Sequence, residues 1–318
     1  MTIGSSVRHR RILIPFAAAL LLAAATACAG PPAADQAAAP PERTPRSGDP
    51  APPDHHSAVL PGRAGQEEDN AQAAVARQAS VRGQKLAAAQ RWGLAAPPRT
   101  APPPPGTRPA LIAGTNVLLH DGVPPVVYRV PTDQPVVFLT IDDGAEKDRE
   151  LVRMLDDLKI PVSIFLSDYL ARADYGYFRE LQEQGAGINN HTINHPDLRR
   201  LDAAQQQQEI CGQQDRLERE LDTRPALFRP PYGEYTDATL QTAAGCGIRA
   251  IPLWTEEAFP DRIEWRYDDQ RLHPGDIILT HFRAPGADWQ GTMAQMLRRV
   301  IDTATAQGFA LAGLDDYL

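Results

Sequence analysis

Cysteine is scarce, with only Cys28, Cys211 and Cys246 in 318 residues. That excludes a disulfide-stapled miniprotein and a multi-cysteine zinc module. Long apolar runs are also missing, because the one from Ile12 to Ala25 falls short of the roughly 20 residues a membrane helix needs. There is no basic surplus either. The formal charge is −8, and without residues 1–27, which hold Arg8, Arg10, Arg11 and no acid, it is −11. A nucleic-acid partner, which requires a basic surface, is thereby excluded. Aromatics are nearly absent from the first third. Eighteen of 20 lie after residue 109, whereas 16 of 30 prolines fall between residues 29 and 109. Only the remainder can build an aromatic-containing core.

The N-terminus has the layout of an export signal. Arg8, Arg10 and Arg11 precede the apolar run, and Ala25-Thr26-Ala27 closes it with small residues. Ala-Thr-Ala-Cys at this place resembles a bacterial lipobox, which implies cleavage before Cys28 and its lipidation. Residues 1–27 are therefore expected as signal peptide, and 28–109 as the lipid-anchor cysteine followed by a disordered Pro/Ala-rich linker. Within that linker, the Ala/Gln-rich stretch from Glu67 to Trp92 has helical composition, interrupted by Gly83. Cys211 and Cys246 are expected on consecutive helices of the folded unit, where an exported pair can either oxidise or stay as two thiols.

In residues 110–318, short apolar runs alternate with amphipathic stretches, the rhythm of a β/α protein. Strands are expected at 136–141, 162–166, 188–191, 226–228, 248–253, 276–280 and 309–312, and helices near 151–158, 178–183, 203–221, 238–244 and 293–306. The fold class is α/β: a distorted (β/α) barrel of about seven parallel strands. Asp142-Asp143-Gly144, His191, Arg229 and His281 all come just after strand ends, on the face where such barrels carry their chemistry.

His191-Thr-Ile-Asn-His195 sets two imidazoles four residues apart, weak evidence of a metal by itself. Pro196 disfavours helix at His195, so a turn is expected. Asp142 and Asp143 are adjacent carboxylates that repel unless a cation sits nearby. One aspartate with two histidines makes a three-ligand site open to water, and the second aspartate is free to take a proton.

Together with Arg229-Pro-Pro-Tyr-Gly233 and Leu279-Thr-His281, these segments resemble the polysaccharide deacetylase (NodB-like) family of carbohydrate esterases, over about residues 135 to 316. The resemblance implies a hydrolase that removes acetyl groups with metal-activated water. It implies a divalent metal, usually zinc, on Asp143, His191 and His195, with Asp142 as base and Arg229 as its partner. It further implies His281 as acid, the Tyr232 backbone N–H as an oxyanion donor, and Leu279 and Trp265 around the acetyl methyl group.

The fourth motif of that family, an aspartate that orients the catalytic histidine and then Asp-Trp, is altered here to Trp254-Thr-Glu-Glu257 and Ile263-Glu-Trp265. Glu264 is the first candidate for the orienting acid, since it precedes Trp265, and Glu256 is another. The expected substrate is an acetylated polysaccharide, most of all the N-acetyl groups of a cell-wall glycan such as peptidoglycan, then chitin-type oligomers. An O-acetyl esterase of xylan type and a glycan-binding lipoprotein without turnover are the alternatives. The expected place is outside the cell membrane, lipid-anchored or secreted, as a monomer.

Overall fold

The computed structural model describes residues 62–318; the expected signal peptide and Cys28 lie outside the described residues. In chain order the elements are α1 (Gly62–Arg91), β1 (Val117–Leu118), β2 (Val126–Val127), β3 (Val136–Asp143), α2 (Arg149–Leu158), β4 (Ser163–Leu166), α3 (Asp168–Ala171), α4 (Tyr175–Glu183) and β5 (Gly187–Asn190). There follow α5 (Ala203–Leu221), α6 (Asp237–Gly245), β6 (Ile251–Pro252), β7 (Glu256–Ala258), β8 (Ile263–Trp265), β9 (Ile277–His281), α7 (Met293–Ala306) and β10 (Ala310–Leu311).

The run Val136-Val-Phe-Leu-Thr-Ile141 forms the central strand, because β-branched and aromatic side chains suit a pleated surface covered on both faces. All of β3 except Asp143 is buried. It pairs in parallel with β4, β9 and β10, and β4 pairs in parallel with β5. The larger sheet runs β5-β4-β3-β9-β7-β8, and a second of three strands runs β1-β2-β6. Single parallel bridges at Asn190–Phe228 and Leu227–Ala250 carry the curvature onward. The result is the expected distorted barrel, left open, with parallel pairing interrupted by the antiparallel β7–β8 hairpin.

Helix ends are capped as the sequence dictates. Asp148 accepts from the Glu150 and Leu151 amides at the start of α2. Asp202 with Gln205, and Thr292 with Gln295, make reciprocal capping boxes at α5 and α7. Leu151, Leu155, Met296, Leu297 and Val300 turn the apolar faces of α2 and α7 into one core with Leu139 and Ile141.

Two expectations are revised here. The folded unit begins before residue 110: Ala88 and Ala89 of α1 are buried, Trp92 Nε1 donates to Asp157 Oδ2 at 2.9 Å, and Arg298 Nε donates to the Trp92 carbonyl at 2.9 Å. The reason is packing, since small alanines let the helix approach the core, and Trp92 supplies an aromatic anchor. The open question of the two cysteines is also resolved: Cys211 on α5 and the α6 C-cap Cys246 form a disulfide.

Candidate active site

Asp142 and Asp143 end β3, and the ladder register places Asp142 opposite His281 of β9. Side chains alternate along a strand, so Thr140, Asp142, Leu279 and His281 share one face. The chain then turns sharply. Asp143 has φ 77° and Gly144 φ 90°, and a Cβ on Gly144 would meet Leu166 Cδ2 at 2.9 Å. Four of the seven non-glycine residues with positive φ among the described residues are Asp143, Thr192, His195 and Tyr232. Such strain persists where surrounding structure over-determines the backbone, and here it converges on one place.

Asp143 Oδ1 lies 3.7 Å from His191 Nε2 and 3.4 Å from His195 Nε2. One ligand atom from each of the three residues lies within 4.8 Å of the others. Asp143 Oδ1 is buried without a hydrogen-bond partner, a state that costs free energy unless something else satisfies it. The His191 Nδ1 contacts the Arg229 carbonyl at 2.7 Å. A carbonyl only accepts, so Nδ1 carries the proton and the Nε2 lone pair faces the centre. Burial lowers the His191 pKa to about 3, which keeps the ring neutral. Two imidazole nitrogens and an unsatisfied carboxylate oxygen fit a divalent transition metal.

Beside this cluster Asp142 is buried and held by Arg229, whose Nη1 donates to Asp142 Oδ1 at 2.8 Å and to Thr140 Oγ1 at 2.8 Å. Arg229 Nε and Nη2 donate to the carbonyls of Pro252 and Leu253, and its guanidinium lies 4.3 Å over the Phe165 ring. The Asp142 pKa is raised by burial, against the opposing pull of Arg229 and His281. Its second oxygen, Oδ2, is 3.7 Å from His191 Nε2. A carboxylate so placed can take a proton next to an electrophilic centre.

His281 closes the opposite side. Its Nδ1 lies 3.4 Å from Glu257 Oε1, and burial lowers its pKa. The acid that meets it is therefore Glu257, neither Glu264 nor Glu256. Glu264 is exposed and tied to Arg262 at 2.8 Å. Glu256, one residue along β7 and on its other face, is buried with Thr255 Oγ1 donating to its Oε2. Period-two alternation says that only one of two adjacent glutamates in a strand can face the site, but which one is set by the register, which the sequence does not show.

Tyr232 is exposed and stacks edge-on to His195, with ring centroids 4.7 Å apart. Leu279 is buried on the His281 face. Trp265 is partly buried, packs against the core, and lines with Trp254, Glu257 and Arg266 a cavity of about 230 Å³. Two residues that sequence reasoning passed over complete the surroundings. Ser167 Oγ donates to the His191 carbonyl at 2.7 Å, and the half-exposed Tyr169 is close enough to Asp143 and Tyr232 for their charges to raise its pKa, after burial. Neither belongs to a recognisable motif.

Residues 129–251 match the polysaccharide deacetylase family. An uncharacterized protein of Streptomyces coelicolor is 43% identical over 197 residues, which cover 62% of this chain and 78% of that protein. A chitooligosaccharide deacetylase of Sinorhizobium fredii is 27% identical over 214 residues, 59% of this chain and 94% of that one. Among solved structures, a peptidoglycan N-acetylglucosamine deacetylase superposes with a TM-score of 0.54 at 23% identity, over 61% of this chain and 92% of that one, which speaks for the fold. Motif order, site geometry and the matched segment agree, and the chain belongs to the polysaccharide deacetylase family.

Proposed function

We propose that this hydrolase removes N-acetyl groups from a cell-wall glycan, peptidoglycan in first place, outside the cell membrane, where Cys28 anchors it and the segment before α1 tethers it. The observation that carries the reading is the convergence of Asp143, His191 and His195 beside an Asp142 clamped by Arg229, with His281 facing them. The activities of two similar proteins, on chitooligosaccharide and on peptidoglycan N-acetylglucosamine, support an N-acetylated sugar. A tethered catalytic domain meets the wall at high effective concentration.

Asp143, His191 and His195 would hold the divalent ion, and the donor set favours zinc. When bound, such an ion supplies Lewis acidity, polarising the acetyl carbonyl and acidifying water. Asp142 takes the proton of the attacking water. Arg229 fixes Asp142 Oδ1, so Oδ2 is the oxygen left to accept it. His281 gives a proton to the departing sugar nitrogen, without which an amide does not expel its amine readily. Glu257 fixes the imidazole for that transfer. The Tyr232 backbone N–H is the proposed oxyanion donor, and Leu279 with Trp265 bounds the acetyl methyl group.

Metal analysis of the purified protein, combined with acetate release across acetylated glycans, tests this reading. One equivalent of zinc and release from N-acetylglucosamine polymers are expected. Bound metal and bound glycan with no acetate from any substrate would leave a binding protein instead. Release from acetylated xylan alone would make it an O-acetyl esterase.

A further inference from the structure

Of the three residues that converge on the proposed metal centre, two are fixed from outside it. His191 Nδ1 donates to the Arg229 carbonyl at 2.7 Å, and Asp143 ends β3, which is paired on both sides. His195 is held differently. Its imidazole meets Asp143 Oδ1 at 3.4 Å and the edges of the His191 and Tyr232 rings, and among the described residues no hydrogen bond orients the ring from outside the cluster. Where it points is therefore set by its backbone. That backbone is strained, with φ 56° at His195 and 70° at Thr192, values uncommon for residues that carry a side chain. Pro196 narrows the choices of His195 further. Such a conformation persists only where neighbours over-determine it.

The neighbours come from one face of α5. Glu209 accepts from the Asn194 amide at 2.8 Å through Oε2 and from Asn194 Nδ2 at 2.7 Å through Oε1, so both its oxygens close on the residue immediately before His195. Three positions on, Gly212 leaves room for Ile193, since a Cβ there would meet Ile193 Cδ1 at 2.7 Å. A glycine inside a helix is destabilising relative to alanine, and this close approach is what it contributes. One position further, Gln213 Nε2 donates at 2.8 Å to the Leu166 carbonyl, which also accepts from the His191 amide. Positions 209, 212 and 213 have the spacing that keeps side chains on one side of a helix. Two more bonds close the turn: the His195 amide donates to Thr192 Oγ1 at 3.0 Å, and the Tyr169 amide donates to the Ile193 carbonyl at 2.9 Å.

We infer that Glu209 is a positioning residue for the metal centre: by gripping Asn194 with both oxygens it holds the His195 backbone in the conformation that sends the imidazole toward Asp143 and His191. The inference rests on the metal-hydrolase reading and adds to it a carboxylate outside the three-residue cluster. A carboxylate suits the task. Its bonds to the two N–H donors of Asn194 are charge-assisted, stronger than those of a neutral acceptor, and two of them fix direction as well as distance. Groups that orient a metal ligand from behind set how tightly the ion is held, because the ligand no longer has to be ordered when the ion arrives.

The test is the zinc affinity of the purified full chain, stripped of metal and titrated against a chromogenic chelator, with the denaturant midpoint of the metal-free protein measured alongside. Glu209→Ala removes both acceptors, and Glu209→Asp keeps the charge but shortens the reach by one methylene. Each should weaken zinc binding by about 10–100-fold. Glu209→Gln should stay within about threefold of the parent, because its Oε1 accepts from the Asn194 amide and its Nε2 donates to the Asn194 carboxamide once that group turns over. Weaker binding at a midpoint shared with Glu209→Gln separates the placing of His195 from the folding of the domain. If Glu209→Ala does not fold, the comparison of Glu209→Asp with Glu209→Gln decides in the same way. Undiminished zinc affinity in the alanine and aspartate variants overturns the inference. So does a loss in Glu209→Gln as large as in Glu209→Asp, which would mean that the grip on Asn194 does not depend on the length of the side chain. A parent chain that binds no zinc fails the metal-hydrolase reading itself, whereas a parent that binds zinc as tightly as its variants fails this inference alone.

Discussion

Glu257 Oε1 stands 3.4 Å from His281 Nδ1, which makes Glu257, and neither Glu256 nor Glu264, the carboxylate that meets this imidazole. Register explains how. Glu257 pairs with Leu279, two residues before His281, so both side chains rise from the same face of neighbouring strands.

The Glu257 carboxyl titrates near neutrality. Burial, then the charges of Glu264 and Asp142, pushes the Glu257 carboxyl up to about 7, and burial lowers the His281 imidazole. Glu257 thus carries a proton below about pH 7 and loses it as pH rises. Proton donation to the leaving nitrogen needs that proton, so kcat/KM on an N-acetyl substrate should fall above about pH 7. In Glu257→Gln only the lowered imidazole titrates, and the descending limb should move to lower pH. A pH–rate profile of both proteins checks this, and an unmoved limb would separate Glu257 from the acid.

Arg229 is fully buried, with Asp142, Thr140 and two carbonyls around its guanidinium. Arg229→Met should strand a buried carboxylate, which costs about 3–5 kcal/mol, or force its protonation, which removes the base. The expected outcome is a drop of at least about 100-fold in kcat, with a lower denaturant midpoint. Metal content should change much less, because no atom of Arg229's side chain reaches the three-residue cluster except through Asp142. His195→Ala should do the reverse, losing metal first.

How much of this was legible beforehand differs by element. The β3 run and the Asp-Asp-Gly turn could be read directly, since a doubly buried strand and a strained turn each leave a local signature. The spacing of His191 and His195 was visible too, while their meeting with Asp143 came from the family pattern and depends on β3, β4 and β5 lying side by side. The choice among Glu256, Glu257 and Glu264 was not legible. It turns on the register of a three-residue hairpin strand, where a shift of one residue swaps faces. Docking of the segment before residue 110 was hidden as well, because proline content argued for a linker and Trp92 is the one aromatic side chain between residues 28 and 109.

Glu256 offers a prediction about stability. Its Oε1 and Asp276 Oδ1 are buried without hydrogen-bond partners, and burial followed by the Asp276 charge pushes the Glu256 carboxyl up to about 9 from an ordinary 4.5. The folded state therefore binds more protons than the unfolded one between those values. Stability is fully present near pH 4.5 and is lost as pH rises toward 9, by at most about 1.4 kcal/mol per pH unit. Glu256→Gln should flatten this decline and unfold at a higher temperature than the parent at pH 8.5. Parallel pH dependences of the two melting curves would show that this carboxyl does not hold its proton.

The disulfide gives the last prediction. Cys211 sits on α5 and Cys246 caps α6, 35 residues apart, and closing such a loop restricts the unfolded chain by about 3–4 kcal/mol in the entropic account. What the bridge holds matters more than its size. Next to it, Gln214 Nε2 donates to the Pro225 and Cys246 carbonyls, and Asn190 Nδ2 donates to Gln214 Oε1 and to the Ile210 carbonyl. Asn190 in turn accepts from the Thr192 amide at the entry to the histidine turn. A paired Cys211→Ser/Cys246→Ser variant should therefore unfold at a lower denaturant concentration. It should also bind metal more weakly, because the loop from His191 to His195 loses a support that reaches it through Gln214 and Asn190. Metal affinity measured well below the unfolding transition separates the two effects. A variant that is less stable yet binds metal as tightly would show that the bridge braces the helices without bracing the site.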